Sequence, residues 1–479
     1  MKVLVVGGGT AGLVSALILK RKLDIQVDLV HSPNIGIIGV GEGSTEHFSN
    51  FMEFMGIDSD TIIKRCGATF KSGIMFEGWS EKPYLHSITQ EFTPKVGQYF
   101  PVIAEAIIQN VEITSKHTWK NNINEIFTNP TPRPPFFQYH FDTFKLNEFL
   151  TELAKEMHIN IYEDDIKDII LKSNGDIDYI VGEKQNYDYN FYIDSTGFKR
   201  ILMNKLGAEW VSFGKYLKMK AAITFPSPAE DEYNLWTLAK AMDYGWMFRL
   251  PVQERYGNGY IYDSDYITED QAKIEVEKYF GREIEIGRTF KFDPGCVDRF
   301  WIKNCVAVGL SGSFFEPLEA TSIGTTIQQT FLLMHRLINY DDSSINYYNK
   351  SMNSVVENIR DFLILHYLTN KNNTKFWEDV SKIEIPESLN NKIKLWKNHL
   401  PIHEDFIGAS EYNLFWPENF LFVMNGLNMF NKNSIEKEFY ALNESIVKYS
   451  KHVLKNIASN DNSMRVIGHK NLISIIKER

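Results

Sequence analysis

The stretch that most constrains this chain is its start. Residues 3–12 read VLVVGGGTAG, four aliphatic residues running into three consecutive glycines, and an apolar-rich run, LVSALILKRK, follows. An aliphatic tetrad ahead of Gly7-x-Gly9-x-x-Gly12 predicts a buried strand that turns directly into a helix. Gly7 permits the tight turn, Gly9 lets a pyrophosphate approach the backbone, and Gly12 lets helix and strand pack closely. Thr10 and Ala11 open the helix, whose free N–H groups can hold phosphate oxygens. Leu13 and Leu17 predict an amphipathic helix, and VDLV at 27–30 supplies the next strand of a βαβ dinucleotide-binding unit. Where an acidic ribose ligand is usually found after that strand, this chain has His31, which cannot match a bidentate carboxylate.

A length of 479 residues exceeds one typical core. The chain reads as a dinucleotide-binding domain over 1–345, with an inserted segment at about 49–135, followed by a helical region over 346–479. Pro130, Pro132, Pro134 and Pro135 mark a connector that closes the insertion. Asp142 is the expected N-cap of the next helix, residues 215–262 alternate as strands do, and Ile327, Phe331, Met334 and Ile338 fall at helical spacing. The net charge of −10, with no basic stripe to offset it, argues against nucleic acid as a partner. Cys66, Cys296 and Cys305 are too widely spaced for a disulfide framework or a cysteine metal site. No metal is expected, and a reducing, cytoplasmic setting is. No run of 18 apolar residues suggests a membrane span. The aromatic share of 14% fits either a bulky core or a pocket for a planar ligand.

Two further stretches favour FAD as the dinucleotide. FYIDSTGF, 191–198, resembles the second FAD motif and places Asp194 and Gly197 near the cofactor. NCVAVGLSG, 304–312, resembles the third, with Gly309 ahead of a helix directed at the flavin. The expected fold class is α/β: a Rossmann-type FAD-binding domain, aromatic-hydroxylase-like, with a mostly α-helical C-terminal substrate region.

The residues around these motifs resemble the flavin-dependent halogenases of the tryptophan-halogenase family. The matching segments include SPNIGIIGVGEGS (32–44), TFKSGIMFEGW (69–79), GWMFRLPVQERYGNGYIY (245–262), VGLSGSFFEPLEATSI (308–323) and NIRDFLILHYLTNKNNTKFW (358–377). They occur in family order, while the last hundred residues match loosely, mainly at WPENFLFVMNGL (416–427). The resemblance implies that reduced FAD from a separate reductase, dioxygen and halide yield hypohalous acid. That oxidant travels through a tunnel to a lysine and halogenates an electron-rich aromatic substrate. A homodimer is the implied assembly.

Lys71 in TFKSG falls at the family's essential lysine, acting either as an ammonium that polarises the oxidant or as an amine that forms a haloamine. Glu319 falls at the catalytic glutamate, and Glu316 defaults to a structural role. Thr321 and Ser322 stand where backbone N–H groups hold halide. Ser322 replaces a glycine common in the family, which leaves halide preference open. Trp246, Phe248 and Pro251 match the flavin-shielding signature, with Phe248 in place of a second tryptophan. Gly39, Val40, Gly41 and Glu42 form the expected strap over the flavin, and Ile323 lies beside the cofactor. Phe415, Trp416 and Phe420 are candidate substrate clamps. The alternative, an FAD-dependent aromatic monooxygenase, would need neither Lys71 nor Glu319.

Overall fold

A computed structural model of the chain describes residues 1–37, 42–87, 99–111, 125–128, 138–458 and 465–479. The aliphatic start forms strand Lys2–Val6, which pairs in parallel with Gln26–His31 on one side and Phe191–Asp194 on the other. Asn160–Glu163 extends this sheet beyond Gln26–His31, and Cys305–Ala307 extends it beyond Phe191–Asp194. Trp301–Ile302 closes one edge as an antiparallel strand. The glycine loop therefore leaves the central strand where chain connections diverge to either side, which is where open α/β sheets bind ligands.

Helix Thr10–Lys22 packs against helices Thr143–Glu156 and Thr321–Met334 as well as against the sheet. Its residues Gly12 to Leu19 are all buried, so it is apolar all round and not amphipathic, because elements cover more than one side. Ser15 sits within this packing and its hydroxyl pairs with that of Thr330 at 3.0 Å. Asp142 caps its helix as expected, its Oδ1 accepting the N–H groups of Phe144 at 2.9 Å and Lys145 at 3.2 Å. The helix from Thr321 stops at Met334, so Ile338 falls outside it and is exposed.

A seven-stranded sheet forms the second layer and includes Gly73–Glu77, Trp236–Ala241, Gly245–Val252 and Arg255–Tyr262. A small antiparallel sheet joins Glu42–Gly43, Gln138–Phe141 and Thr69–Lys71, and so carries Lys71 beside the exit of the expected strap. Helices follow from Asp342–His366 to Glu444–Ala458, and the chain ends in strand Arg465–Gly468 and helix His469–Glu478. One apolar cluster runs through Val5, Leu17, Ile327, Phe362, Trp396 and Leu472, so the terminal helices share the core of the nucleotide-binding sheet. Among the described residues no helix is long and apolar enough to cross a membrane.

Candidate active site

The three glycine motifs converge. A Cβ on Gly7 would come within 2.3 Å of the Ser195 carbonyl oxygen, and one on Gly12 within 2.1 Å of the Gly7 oxygen. A Cβ on Gly309, at φ +58, would meet the Ala11 methyl at 2.5 Å. The third motif thus rests on the first turn of the helix that begins at Thr10. His31 ends its strand against this loop, so close that a Cβ on Gly8 would lie 2.9 Å from it.

Asp194 is held by protein donors. Its Oδ1 accepts from Thr196 N–H and from the hydroxyls of Thr196 and Ser311, and its Oδ2 from the N–H groups of Leu202 and Met203. With both oxygens hydrogen-bonded within the protein, Asp194 ties the second motif to the third. Gly197 is different, because a Cβ there would meet nothing within 4 Å.

These residues fit a bound dinucleotide. A Cβ on Gly9 would also meet nothing within 4 Å, leaving the backbone open to a phosphate. The helix behind it has no acidic side chain in its first turn and no side-chain cap on its free N–H groups. Gly39, Val40 and Gly41 lie outside the described residues. Glu42 is described, and burial raises its pKa from 4.5 to about 7.

A small cleft is lined by Gly309, Thr321, Ser322 and Thr325, with Phe314 and Phe315 as walls. Here helix Thr321–Met334 begins without a side-chain cap or an acidic residue in its first turn, which suits an anion. The strained residue is Ala320, at φ 54, and not Ser322. Ser322 is an ordinary first-turn residue, so no glycine is needed there for backbone reasons. Ile323, next along the helix, is buried.

Glu319 lies just ahead of this helix and is 2% exposed. His86 Nδ1 is 2.9 and 3.0 Å from its two oxygens, and His366 Nε2 is 2.9 Å from Oε1. The proton positions follow from the neighbours. Asn419 Oδ1 accepts the Trp416 N–H at 2.7 Å, which turns its amide N–H toward His86 Nε2 at 3.2 Å. His86 therefore donates to Glu319 from Nδ1. His366 Nδ1 faces the Phe362 carbonyl at 2.8 Å and must donate to it, so one proton is shared between His366 Nε2 and Glu319. Burial would raise the Glu319 pKa, yet the His86 charge interaction and hydrogen bonds from both imidazoles pull it from 4.5 to about 2. Glu319 is therefore held as a carboxylate.

Lys71 is 1% exposed, and its Nζ donates to the Ser44 carbonyl at 2.9 Å. Burial lowers its pKa from 10.5 to about 8, against the opposing pull of the Glu319 charge. Roughly a tenth of the lysines are then neutral at pH 7. Glu316 behaves differently from Glu319. It accepts a hydrogen bond from the Tyr367 hydroxyl, and burial raises its pKa from 4.5 to about 7.

Trp246 and Phe248 project from strand Gly245–Val252 with ring centroids 6.3 Å apart. Phe248 covers Gly259 on the neighbouring strand, where a Cβ would strike its ring at 2.4 Å. The Pro251 carbonyl accepts the Thr69 hydroxyl at 2.7 Å, tying this strand to that of Lys71. Among the candidate clamps, Phe415 stacks on Phe362 with centroids 4.0 Å apart, and Phe362 lies edge-on to His86 and His366. Trp416 is half-buried against Phe406 and His403. Phe420 is enclosed by Phe362, Trp396 and Phe406 with no exposed surface, so it packs the core instead of clamping a ligand. His86 and His366 were not anticipated. Their signal was a histidine inside each of the apolar stretches YLHS and FLILHYL.

A glycine-loop α/β sheet with an open phosphate site defines a dinucleotide-binding fold, which also carries a capless helix end and a buried lysine and carboxylate. The family model described as tryptophan halogenase matches residues 2–438, and the chain belongs to that family. A tryptophan 6-halogenase of Streptomyces toxytricini is 26% identical over 92% of this chain and 94% of its own length. A tryptophan 7-halogenase of Lentzea aerocolonigenes is 26% identical over 89% of each chain. The solved Streptomyces toxytricini enzyme superposes with a TM-score of 0.83 at 25% identity, covering 99% of each chain. A halogenase structure from Shewanella frigidimarina shares the fold at a TM-score of 0.85 and 23% identity, covering 100% of this chain and 98% of its own. The chain is a flavin-dependent halogenase that uses reduced FAD and halide, and the monooxygenase alternative is not favoured.

Proposed function

We propose that this halogenase passes its oxidant to Lys71 and places the halogen on an electron-rich arene of the indole or phenol type, under the control of Glu319. The observation that carries this reading is the pairing of a buried, pKa-lowered amine with a carboxylate held ionised by two histidines. Reduced FAD, when bound, would supply the two electrons that activate dioxygen, which then oxidises halide to hypohalous acid. Gly7, Gly9, Thr10, Ala11, Gly12, Gly197 and Gly309 would hold it, with His31 at the ribose end and Ile323 beside the ring. Thr321 and Ser322 would hold halide at the capless helix end. Trp246, Phe248 and Pro251 would keep the arene away from the flavin.

At Lys71 the neutral amine attacks the halogen of hypohalous acid, forming an N–halogen bond and releasing water. The arene then takes the halogen, and Nζ regains a proton. Hydrogen bonds from the two imidazoles still leave Glu319 a lone pair with which to stabilise and deprotonate the cationic ring. Phe415, stacked on the Phe362 ring that lies edge-on to His86 and His366, and its neighbour Trp416 would flank the arene. Free tryptophan is the first substrate to test, because relatives of this length are tryptophan halogenases by name. The enzyme works in the cytoplasm with a separate flavin reductase, a setting in keeping with three free, buried cysteines, and assembles as a homodimer.

The test supplies reduced FAD, bromide and a panel of indoles and phenols to wild type and Lys71→Ala, with product mass spectrometry. Brominated arene from wild type, absent with the variant, is the expected result. Undiminished product from Lys71→Ala would remove the lysine from the mechanism, and hydroxylated product formed without halide would favour oxygen transfer to the arene.

A further inference from the structure

The last segment of the chain returns to the Lys71 strand. Strand Arg465–Gly468 pairs with Glu125–Thr128, and helix His469–Glu478 then packs against helix Ser59–Arg65. This segment lies beyond residue 438, where the family match ends. The helix begins at a fully buried His469. Its first turn is fastened by Glu232, whose Oε1 accepts the Lys470 N–H at 2.6 Å.

His469 bridges two backbone segments. Nε2 accepts the N–H of Phe70, the residue before Lys71, at 2.9 Å. Nδ1 is 3.0 Å from the Tyr233 carbonyl, to which it must donate. The ring thus has one defined neutral tautomer, and its burial, which lowers its pKa to about 4, preserves that state. Phe70 pairs with Tyr139 in the small sheet, and its ring lies 5.9 Å from the His469 ring. On the far side of Lys71, Ser72 donates its N–H at 2.5 Å and its hydroxyl at 2.8 Å to the Leu235 carbonyl. Residues 70 and 72, flanking the lysine, are therefore anchored to one stretch, 233–235, directly at Ser72 and through the imidazole at Phe70. An imidazole in a fixed tautomer stands where a strand would supply a carbonyl, and holds the lysine backbone without presenting another charge to Nζ.

We infer that His469 is a positioning residue for Lys71, and that the C-terminal helix carrying it clamps the lysine strand so that Nζ stays buried against Ser44. The inference rests on the role given to Lys71 above, but its test does not require a substrate. The Lys71 Nζ signal is followed by lysine-labelled NMR as a function of pH in wild type, His469→Ala and His469→Gln, and is assigned by its loss in Lys71→Met. Amide hydrogen exchange at Phe70 is measured in parallel. In His469→Ala the Lys71 midpoint should rise by at least one pH unit as the amine gains water, and Phe70 should exchange at least tenfold faster. His469→Gln, whose amide oxygen can accept the same N–H, should restore most of both. An unchanged Lys71 midpoint with unchanged Phe70 exchange in His469→Ala would overturn the inference. If His469→Ala does not fold, His469→Leu, which fills the site without an acceptor for the Phe70 N–H, decides: an unchanged Lys71 midpoint with wild-type exchange at Phe70 would likewise overturn it. Full halogenation by Lys71→Met would sink the role of the lysine while leaving the clamp intact.

Discussion

A Cβ on Gly43 would stand 3.0 Å from Lys71 Nζ, so the residue that follows the expected strap leaves room for the amine. Gly43 pairs with His140 and Lys71 with Gln138, placing the two on opposite edges of the same short sheet. The lysine is thus boxed in by backbone and carries a desolvation cost.

That cost is measurable. The folded-state pKa of about 8 lies below the ordinary 10.5, so between these values the unfolded chain binds the extra proton and stability rises with pH. Below pH 8 the buried charge costs about 3 kcal/mol. Lys71→Met should therefore abolish halogenation yet raise the melting temperature at pH 7, with a smaller gain at pH 10. Calorimetry at the two pH values checks this, and a lower melting temperature for Lys71→Met at pH 7 would contradict it.

The same pKa sets a rate profile. If the neutral amine receives the halogen, arene product per oxidised halide should climb with pH and level off above about pH 8. Single-turnover product analysis across pH 6–9 gives the curve. A fall through that range would identify the ammonium as the active form.

The two glutamates should separate cleanly. Glu319→Gln removes the carboxylate that both histidines address, and product formation should drop by about a hundredfold or more. Glu316→Gln keeps a hydrogen-bonding partner for Tyr367 and should leave turnover within a few-fold. The folded Glu316 pKa of about 7 exceeds the ordinary 4.5, so its effect on stability is absent below 4.5 and becomes a loss as pH rises to 7. Glu316→Gln should accordingly stabilise the enzyme more at pH 8 than at pH 5. Equal losses of activity in both variants would show that Glu316 shares the chemistry.

Ser322 should affect selectivity more than folding. It is a helical residue, so Ser322→Gly loses helix propensity, about 0.5 kcal/mol, and relieves no strain. Its side chain borders the cleft, and removing it should shift the ratio of bromide to chloride KM. Competition assays with both halides report that ratio. Identical ratios in wild type and Ser322→Gly would place the halide elsewhere.

The sequence by itself determined the nucleotide-binding fold and the family, and singled out Lys71 and Glu319 as candidates. Those features are written in contiguous residues: a glycine spacing tied to backbone geometry, and short motifs whose chemistry is local. Tertiary structure decided what surrounds them. His86, His366 and His469 lie 233, 47 and 399 residues from the groups they contact, and nothing in local periodicity signals a contact across such distances. Asp194 joins the second motif to the third through backbone and hydroxyl donors that its own motif does not show. Ser322 looked like a backbone problem until the helix start placed the left-handed residue at Ala320. Burial made the further difference, because the same carboxyl group is pushed up at Glu316 and pulled down at Glu319 according to the donors packed around it.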